Sequence, residues 1–377
     1  MNSGPARKET LTYAQLEHIL LQLFAEIKPL HVVVFAGGEP TLLGEDLYKA
    51  IALCKQHGTV TRVVTNAFWA TSKEAAEKKV AELRRAGLDE LNLSTDDYHL
   101  PYISLQRLRY AWEAAQNAGF LSVVLANCAG PQSWLSPERV EQIFGQPDPT
   151  DTGHLHRRFD DQGTALTQIR IPGKTMAVLS NASVQRLGRG LQTMRDEDLP
   201  TGDAGDLTEH GGCPWAVRSA AISPKGHLLS CCGFELEDNP ILDYGDINSR
   251  PLSELLDQAD GDLITNMIAI FGPAKIKQIL EQYWPDEVSF PRRYRTYCEV
   301  CNDLVHDRKN REAMYRHQGA FVSSVMAVRD RLTAEYGDGK RVRLPFDLTV
   351  MPTPPSQGDS APAAPHAAPA GPTDSAT

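Results

Sequence analysis

"HVVVFAGGEPTLLG", residues 31–44, decides how the chain is read. An apolar run, "HVVVFA", has the length and composition of a buried strand and stops at two glycines, a glutamate and a proline. Gly37 and Gly38 let a ligand approach the backbone closely. Glu39 can accept hydrogen bonds from a cationic group such as an ammonium. Nothing near it in the sequence is an evident partner for its carboxylate. Pro40 fixes the turn and removes an N–H that would otherwise need an acceptor.

The same pattern repeats outward from this stretch. Residues 12–28 carry apolar positions at Leu16, Ile19, Leu20, Leu23, Phe24 and Ile27, the stripe of an amphipathic helix. Thr12 and Gln15 have capping-box spacing at its start, and Pro29 ends it. After the opening strand, "EDLYKAIALCKQHG" reads as a helix ending at Gly58, and "VTRVVT" as a strand. "SKEAAEKKVAELRRAG" is a helix ending at Gly87 and "ELNLS" a strand. "LQRLRYAWEAAQNAG" is a helix ending at Gly119 and "LSVVLA" a strand. Each helix closes on a glycine suited to a left-handed C′ residue. The unit recurs about every 29 residues, long enough for a βαβ crossover. The fold class is therefore α/β with a parallel sheet, open or curled into a barrel.

Each strand is followed by a polar loop: "GGEPT", "NAFW", "TDDYH" and "NC". All four stand at the carboxyl ends of strands, where α/β folds build their sites. A single polar loop needs no function, because loops are surface segments. Four on one rim favour a site. Asp96, Asp97 and His99 read either as a metal triad or, in the commoner case, as loop polar groups bonded to their surroundings.

The 377 residues are 41% hydrophobic and 23% charged, an ordinary globular composition with room for one large domain or two smaller ones. The formal net charge of −10 argues against a general nucleic-acid surface. The N-terminus has no apolar signal region, and no apolar run approaches the roughly 20 residues of a membrane span. A cytoplasmic chain is the expectation. Residues 352–377 are Pro/Ala-rich without large apolar side chains and are expected to be disordered, with a tether or docking tail as other readings.

Seven cysteines are too few for a disulfide scaffold in a chain of this length. Five lie in the second half. Twelve residues separate Cys213 from Gly226 and four more separate Gly226 from Cys231, with Cys232 adjacent; Cys298 and Cys301 form "CEVC". A C-x2-C pair brings two thiolates to one metal centre from a tight turn. "AAISPKGHLLS" reads as a hairpin turning at Pro224 and Gly226, which would bring Cys213 and Cys231 together. Four thiolates suit iron–sulfur or zinc, and buried unligated thiols are the third reading. Either Cys231 or Cys232 could be the ligand. Cys54 and Cys128 read as small core residues, with a functional reading kept for Cys128 because it follows a strand on the rim.

"GGEP", "TNAFW" and "LNLSTDDYH", each after its own strand, together resemble the radical SAM enzymes over roughly residues 10–130. The resemblance implies a partial (β/α)6 barrel over residues 1–195. It implies that Gly37, Gly38 and Glu39 meet the amino group of S-adenosylmethionine (SAM), with Pro40 also among the cofactor-binding residues. Ser94 would lie near its ribose, and Asn66 would line the same cavity. "LGRG", Leu187 to Gly190, resembles a late barrel segment with Arg189 as a cofactor contact. The C-x12-G-x4-C spacing resembles the SPASM or twitch auxiliary-cluster domain, here residues 205–345. It implies one auxiliary [4Fe–4S] cluster, on Cys213, Cys231 or Cys232, Cys298 and Cys301, and a peptide substrate. A flavodoxin or ferredoxin would be the electron donor.

Family members hold a [4Fe–4S] cluster on C-x3-C-x2-C after the first barrel strand, ahead of GGEP. No cysteine precedes Gly37 here. The expectation is a barrel without its first strand, and a second [4Fe–4S] cluster only if a cluster loop upstream of Met1 is restored. The alternative is a non-catalytic scaffold or binding protein with one structural Fe–S or zinc site.

Overall fold

The computed structural model describes residues 9–28, 30–145, 154–159, 165–170, 173–199, 207, 211–213, 216, 220–231, 236–291 and 293–336. Cys232 and the Pro/Ala-rich segment 352–377 lie outside the described residues.

The first half alternates as its periodicity implies. Helix α1 (Tyr13–Glu26) is followed by β1 (Val32–Phe35), α2 (Glu45–Gln56), β2 (Val60–Thr65), α3 (Lys73–Ala86), β3 (Glu90–Ser94), α4 (Leu105–Gln116) and β4 (Ser122–Ala129). The Thr12 capping box forms: Gln15 N donates to Thr12 Oγ1 at 3.4 Å, and Thr12 N donates to Gln15 Oε1 at 2.9 Å. Gly58, Gly87 and Gly119 all have positive φ, the left-handed conformation that ends a helix without a Cβ clash. Helix α5 (Pro137–Phe144) leads on to β5 (His154–Phe159), β6 (Ala165–Arg170) and β7 (Met176–Ser183).

These strands form one sheet in the order β1-β2-β3-β4-β7-β6-β5. β1 to β4 and β7 run parallel, and β6 and β5 extend the sheet as an antiparallel pair. The class is α/β with a mostly parallel sheet, as the alternation indicates. The antiparallel extension was not legible in the alternation.

Register sorts the strand residues into two faces. Val63, Leu91, Leu93, Val123, Leu125, Ala177 and Leu179 share one face and are buried in the core beneath α1 to α5. Full burial of each leucine is worth about 1.5–3 kcal/mol. The opposite face carries Val32, Val34, Arg62, Val64, Asn92, Ser94, Ala126 and Cys128, half-buried or exposed. Here the sequence reading needs a correction. "HVVVFA" is not a buried strand on both sides, because Val32 is 41% and Val34 44% exposed. β1 is the outermost strand among the described residues, so side chains on this face have a neighbouring strand on one side only.

The second half begins with a small antiparallel sheet of β8 (Ala221–Ile222), β9 (His227–Leu229) and β10 (Asp243–Asp246). The expected hairpin is present: Ile222 pairs with Leu228, and Gly226 N donates to Ser223 O at 2.9 Å. Gly226 has φ +89°, and a Cβ there would lie 2.6 Å from Asn248 Nδ2, so the turn requires glycine. The helix α6 (Gly190–Thr193) precedes this sheet. After it come α7 (Leu252–Gly261), α8 (Leu263–Phe271), α9 (Pro273–Tyr283), α10 (Tyr297–His306), α11 (Arg308–His317) and α12 (Gly319–Tyr336). Ile19 of α1 packs in one cluster with Leu228, Tyr244, Leu252 and Leu255, which seats α1 against β9, β10 and α7. Gln22 Oε1 accepts the first free N–H of α7, from Leu252, at 3.0 Å. Among the described residues no helix is long and apolar enough to cross a membrane.

Candidate functional site

The carboxyl ends of β1 and β2 are tied together by Glu39. Its Oε1 accepts from Thr65 Oγ1 at 2.8 Å, from Thr41 Oγ1 at 2.5 Å and from Thr41 N at 3.2 Å, while Oε2 accepts from Asn66 N at 2.8 Å. The carboxylate caps the 3-10 turn Pro40–Leu43 and clamps it to the end of β2. Sequence reading treated Glu39 as lacking an internal partner. It has four donors: two from Thr41 in its own turn, and two from Thr65 and Asn66, which only the parallel pairing of β1 with β2 brings near. Each carboxylate oxygen offers about two acceptor sites, so Oε2 keeps capacity for one more donor.

Thr65 was missed by sequence reading and is the hub. Its Oγ1 donates to Glu39 and accepts from Ala67 N and from Trp69 Nε1, each at 3.1 Å. Those bonds hold Ala67 at φ 59°, unusual for a residue with a Cβ. Asn66, expected to line the cavity, uses its Oδ1 to accept from Phe68 N at 2.9 Å and so helps form the turn. A threonine ending a strand immediately before a strained "NAFW" turn is the signal that could have pointed to it.

Gly37 and Gly38 are exposed on this rim, and a Cβ at either would meet nothing within 4 Å. Gly37 has φ +125°, which favours glycine by itself. Gly38 has neither a positive φ nor a crowding neighbour, so no contact within the described residues requires glycine there. Ser94 ends β3 on the same face as Ala126 of β4.

Beyond Ser94, Asp96 Oδ1 accepts from Tyr98 N at 2.9 Å and His99 N at 3.0 Å, and lies 2.8 Å from His99 Nδ1. Asp97 accepts from Leu135 N at 3.0 Å and Trp134 N at 2.5 Å, joining the loop after β3 to the loop after β4. These are bonded loop groups, the second of the two readings open in the sequence. The Asp96 hydrogen bond raises the His99 pKa above 6.5 against the opposing effect of burial, and Glu39 adds to the rise from across the rim. Cys128 is half-buried, and burial pushes its thiol up to about 11. Buried Cys54 is pushed up to about 12, in keeping with a core residue. Arg189 is exposed on the loop between β7 and the second half.

In the second half, Cys213 follows Gly212, whose Cα sits so tightly under α8 that a Cβ would lie 1.9 Å from Ala269 O. Cys213 N donates to Ile268 O at 3.0 Å. Cys231 follows β9, and Cys298 and Cys301 stand on the first turns of α10. Buried Cys301 titrates well above an ordinary thiol, first because of burial and then because Cys213, Cys231 and Cys298 all face it. All four are thiols rather than disulfides. Cys213, Cys231 and Cys301 pack into one core, and Cys298 acts electrostatically on Cys301; four thiolates as a set would suit an iron–sulfur cluster or zinc.

A different trio, His227, Asp238 and Asp243, has its ligand atoms within 4.8 Å of one another. Asp243 is occupied internally: Oδ2 accepts from Asp238 N at 2.7 Å and lies 2.8 Å from His227 Nδ1, and Oδ1 accepts from Gly245 N at 2.9 Å. These bonds close the β9–β10 hairpin.

The family model described as "Radical SAM superfamily" matches residues 2–120. Over residues 2–120 the chain is similar to the radical SAM superfamily. This segment contains β1, β2, β3 and the Gly37-Gly38-Glu39-Pro40, Asn66 and Asp96 loops. A "Putative peptide biosynthesis protein YydG" from Bacillus subtilis (strain 168) is 23% identical over 303 residues, covering 80% of this chain and 85% of the relative. That alignment is too long to be confined to the radical SAM segment and must enter the cysteine-bearing half.

Glu299, within "CEVC", was not singled out from the sequence. It is 3% exposed, and its two oxygens accept from Arg186 N at 2.7 Å and Arg295 N at 2.8 Å. Thr296 caps α10 by accepting from Glu299 N at 3.3 Å. The T-x-x-E spacing at a helix start was the available signal.

Proposed function

We propose that this chain is a radical SAM-type protein that acts on a peptide and carries one auxiliary metal centre on Cys213, Cys231 or Cys232, Cys298 and Cys301. The observation that carries the reading is Gly38, a rim glycine that neither backbone conformation nor packing requires, beside a carboxylate with one acceptor site left. The use remaining for an unneeded glycine is close approach by a ligand. Gly37 and Gly38 would admit the amino-acid part of SAM, and Glu39 Oε2 would accept from its ammonium. Ser94 and Asn66 stand on the adjacent strand ends. When reductively cleaved, SAM supplies a 5′-deoxyadenosyl radical that takes a hydrogen atom from the substrate. The protein residues bind, orient and exclude water. The four thiols suit a [4Fe–4S] centre, and the SPASM or twitch resemblance supports one such auxiliary cluster. The peptide substrate class draws support from that same resemblance and from the name of the B. subtilis relative. A flavodoxin or ferredoxin is the proposed electron donor, and the cytoplasm the proposed compartment.

The competing reading rests on one observation: the seven cysteines include no C-x3-C-x2-C set. A chain acting as it stands would then bind without cleaving SAM. Anaerobic incubation with SAM and dithionite separates the two. 5′-Deoxyadenosine supports the enzyme; SAM binding with none released supports the scaffold; no SAM binding by equilibrium dialysis overturns the rim assignment.

A further inference from the structure

The loop Val184–Leu199 runs between two places that the sequence does not connect. At the barrel end, Val184 N donates to Ala129 O at 3.1 Å, and Gly130 lies so near Asp198 that a Cβ there would be 2.2 Å from Asp198 O. Gly130 directly follows β4, so this contact sets the turn Asp196–Asp198 against the loop after β4, at the carboxyl-end rim. At the other end the loop is fastened to the cysteine-bearing helix. Thr296 Oγ1 donates to Gln185 Oε1 at 3.4 Å, Arg186 N donates to Glu299 Oε1 at 2.7 Å, and Leu187 packs into the core that contains Cys301. The Arg186 guanidinium closes the loop on itself through Asp196 at 2.5 Å.

Glu299 is the strongest of these fastenings. Its carboxylate is buried, and a buried carboxylate left without donors is expensive, costing several kcal/mol in general. Two backbone N–H groups satisfy it, from Arg186 in the loop and Arg295 just before α10. The loop amide is therefore needed for Glu299 to remain buried, and Glu299 stands between the two cysteines of the pair. Moving the loop away strips a donor from the cysteine helix; disordering the helix releases the loop.

We propose that Glu299 is the positioning residue that latches the loop Val184–Leu199 over the barrel rim, so that closure of the rim depends on the cysteine helix being in place. The latch itself rests on hydrogen bonds within the chain. Its link to metal rests on the four-thiol centre proposed above.

Limited trypsin digestion with mass mapping reads the loop directly, because Arg186, Arg189 and Arg195 lie in it. Cleavage at Arg308 and Arg311 in α11 is the internal reference for general unfolding. In Glu299→Ala with wild-type metal content, loop cleavage should rise at least tenfold relative to α11. Glu299→Gln, which keeps one acceptor oxygen for Arg186 N, should restore much of the protection. Gly130→Ala prises up the barrel end and supplies the pattern of a detached loop without touching the cysteine helix. In the wild type, stripping the metal with a chelator should raise loop cleavage similarly, and in Glu299→Ala it should add little. Loop cleavage unchanged in Glu299→Ala overturns the latch, as does cleavage that rises equally in α11. If Glu299→Ala does not fold, Glu299→Asp decides: its shorter carboxylate cannot reach Arg186 N and Arg295 N together, so loop cleavage should rise relative to α11, and cleavage equal to wild type overturns the latch. A wild-type chain that binds no metal removes the four-thiol reading, while the variant comparison still decides the latch.

Discussion

Glu39 Oε1 and Thr65 Oγ1 stand 2.8 Å apart, joining the loop after β1 to the last residue of β2. The rim carboxylate is thus a structural clamp before it is anything else. Glu39→Gln puts an amide where Oε2 now accepts from Asn66 N, and one side of the side chain must lose its donors. Leaving a partly buried donor unmet costs about 1–3 kcal/mol. We expect Glu39→Gln to lower the melting temperature by several degrees and to weaken SAM binding as well. An unchanged melting temperature in differential scanning fluorimetry would show that the clamp contributes nothing to stability.

Thr65→Val keeps the shape of the side chain and removes its hydroxyl. Glu39 loses a donor, and Ala67 N and Trp69 Nε1 lose their acceptor. The expected cost is again about 1–3 kcal/mol. The more specific readout is Trp69, 9% exposed, whose emission should shift to the red as its indole N–H turns to water. A spectrum identical to wild type in the folded baseline would mean that the Thr65 hub does not fix this turn.

How far the sequence carried these features depends on the range of the interaction. The strand–helix alternation, the Thr12 cap and the turn at Gly226 are local and were legible from spacing. The partners of Glu39 were not. They come from Thr41 two residues on and from Thr65 and Asn66, which reach it only after β1 and β2 pair in parallel. The exposure of Val32 and Val34 was hidden for the same reason, since an apolar run looks alike in a central and an outer strand. Spacing singled out the cysteines because cysteine is rare enough for spacing to carry meaning, and their joint ligation of a metal is the proposal made above. Glu299 escaped because a charged residue on a helix is ordinarily solvated, and its loop partner is 113 residues away.

His99 gives a pH dependence with a definite sign. Its folded pKa lies above 6.5 because Asp96 favours the charged imidazole. The Asp96–His99 interaction therefore contributes fully below the unfolded histidine value of about 6.5 and is lost as pH rises through the folded value. Proton NMR of the imidazole should give a midpoint above 6.5 that falls in Asp96→Asn. A midpoint at or below 6.5 in the wild type would contradict the geometry.

Metal analysis after anaerobic reconstitution tests the convergence on Cys301. About four irons with acid-labile sulfide per chain would mark a [4Fe–4S] centre, and one zinc without iron the structural alternative. Cys301→Ser or Cys298→Ser should lose most of the bound metal, whereas Cys54→Ala should lose none, because Cys54 is a buried thiol in the other core. Cys231→Ser and Cys232→Ser, made separately, identify the fourth ligand. Undiminished metal in both Cys298→Ser and Cys301→Ser would rule out this centre.

The last prediction concerns β1. Among the described residues it pairs only with β2, and its outer face presents Val32 and Val34 to solvent. An exposed strand edge flanked by β-branched apolar side chains invites pairing with another chain, which natural sheets usually prevent with a charge, a proline or a bulge. None of these interrupts Val32–Phe35. Val34→Lys puts a charge on the exposed face while leaving Val33 and Phe35 packed against the core; its like charge with Arg62, its register partner, should cost about 0.2–1 kcal/mol, which the fold should tolerate. Light scattering and size-exclusion chromatography across a concentration series should then find less self-association in Val34→Lys than in the wild type. The substitution Arg62→Lys serves as the control: it retains the charge on the neighbouring strand and leaves the β1 edge apolar, so its association should match the wild type. Equal self-association of wild type and Val34→Lys would show that the β1 edge is already covered and that its apolar face is not the sticky surface.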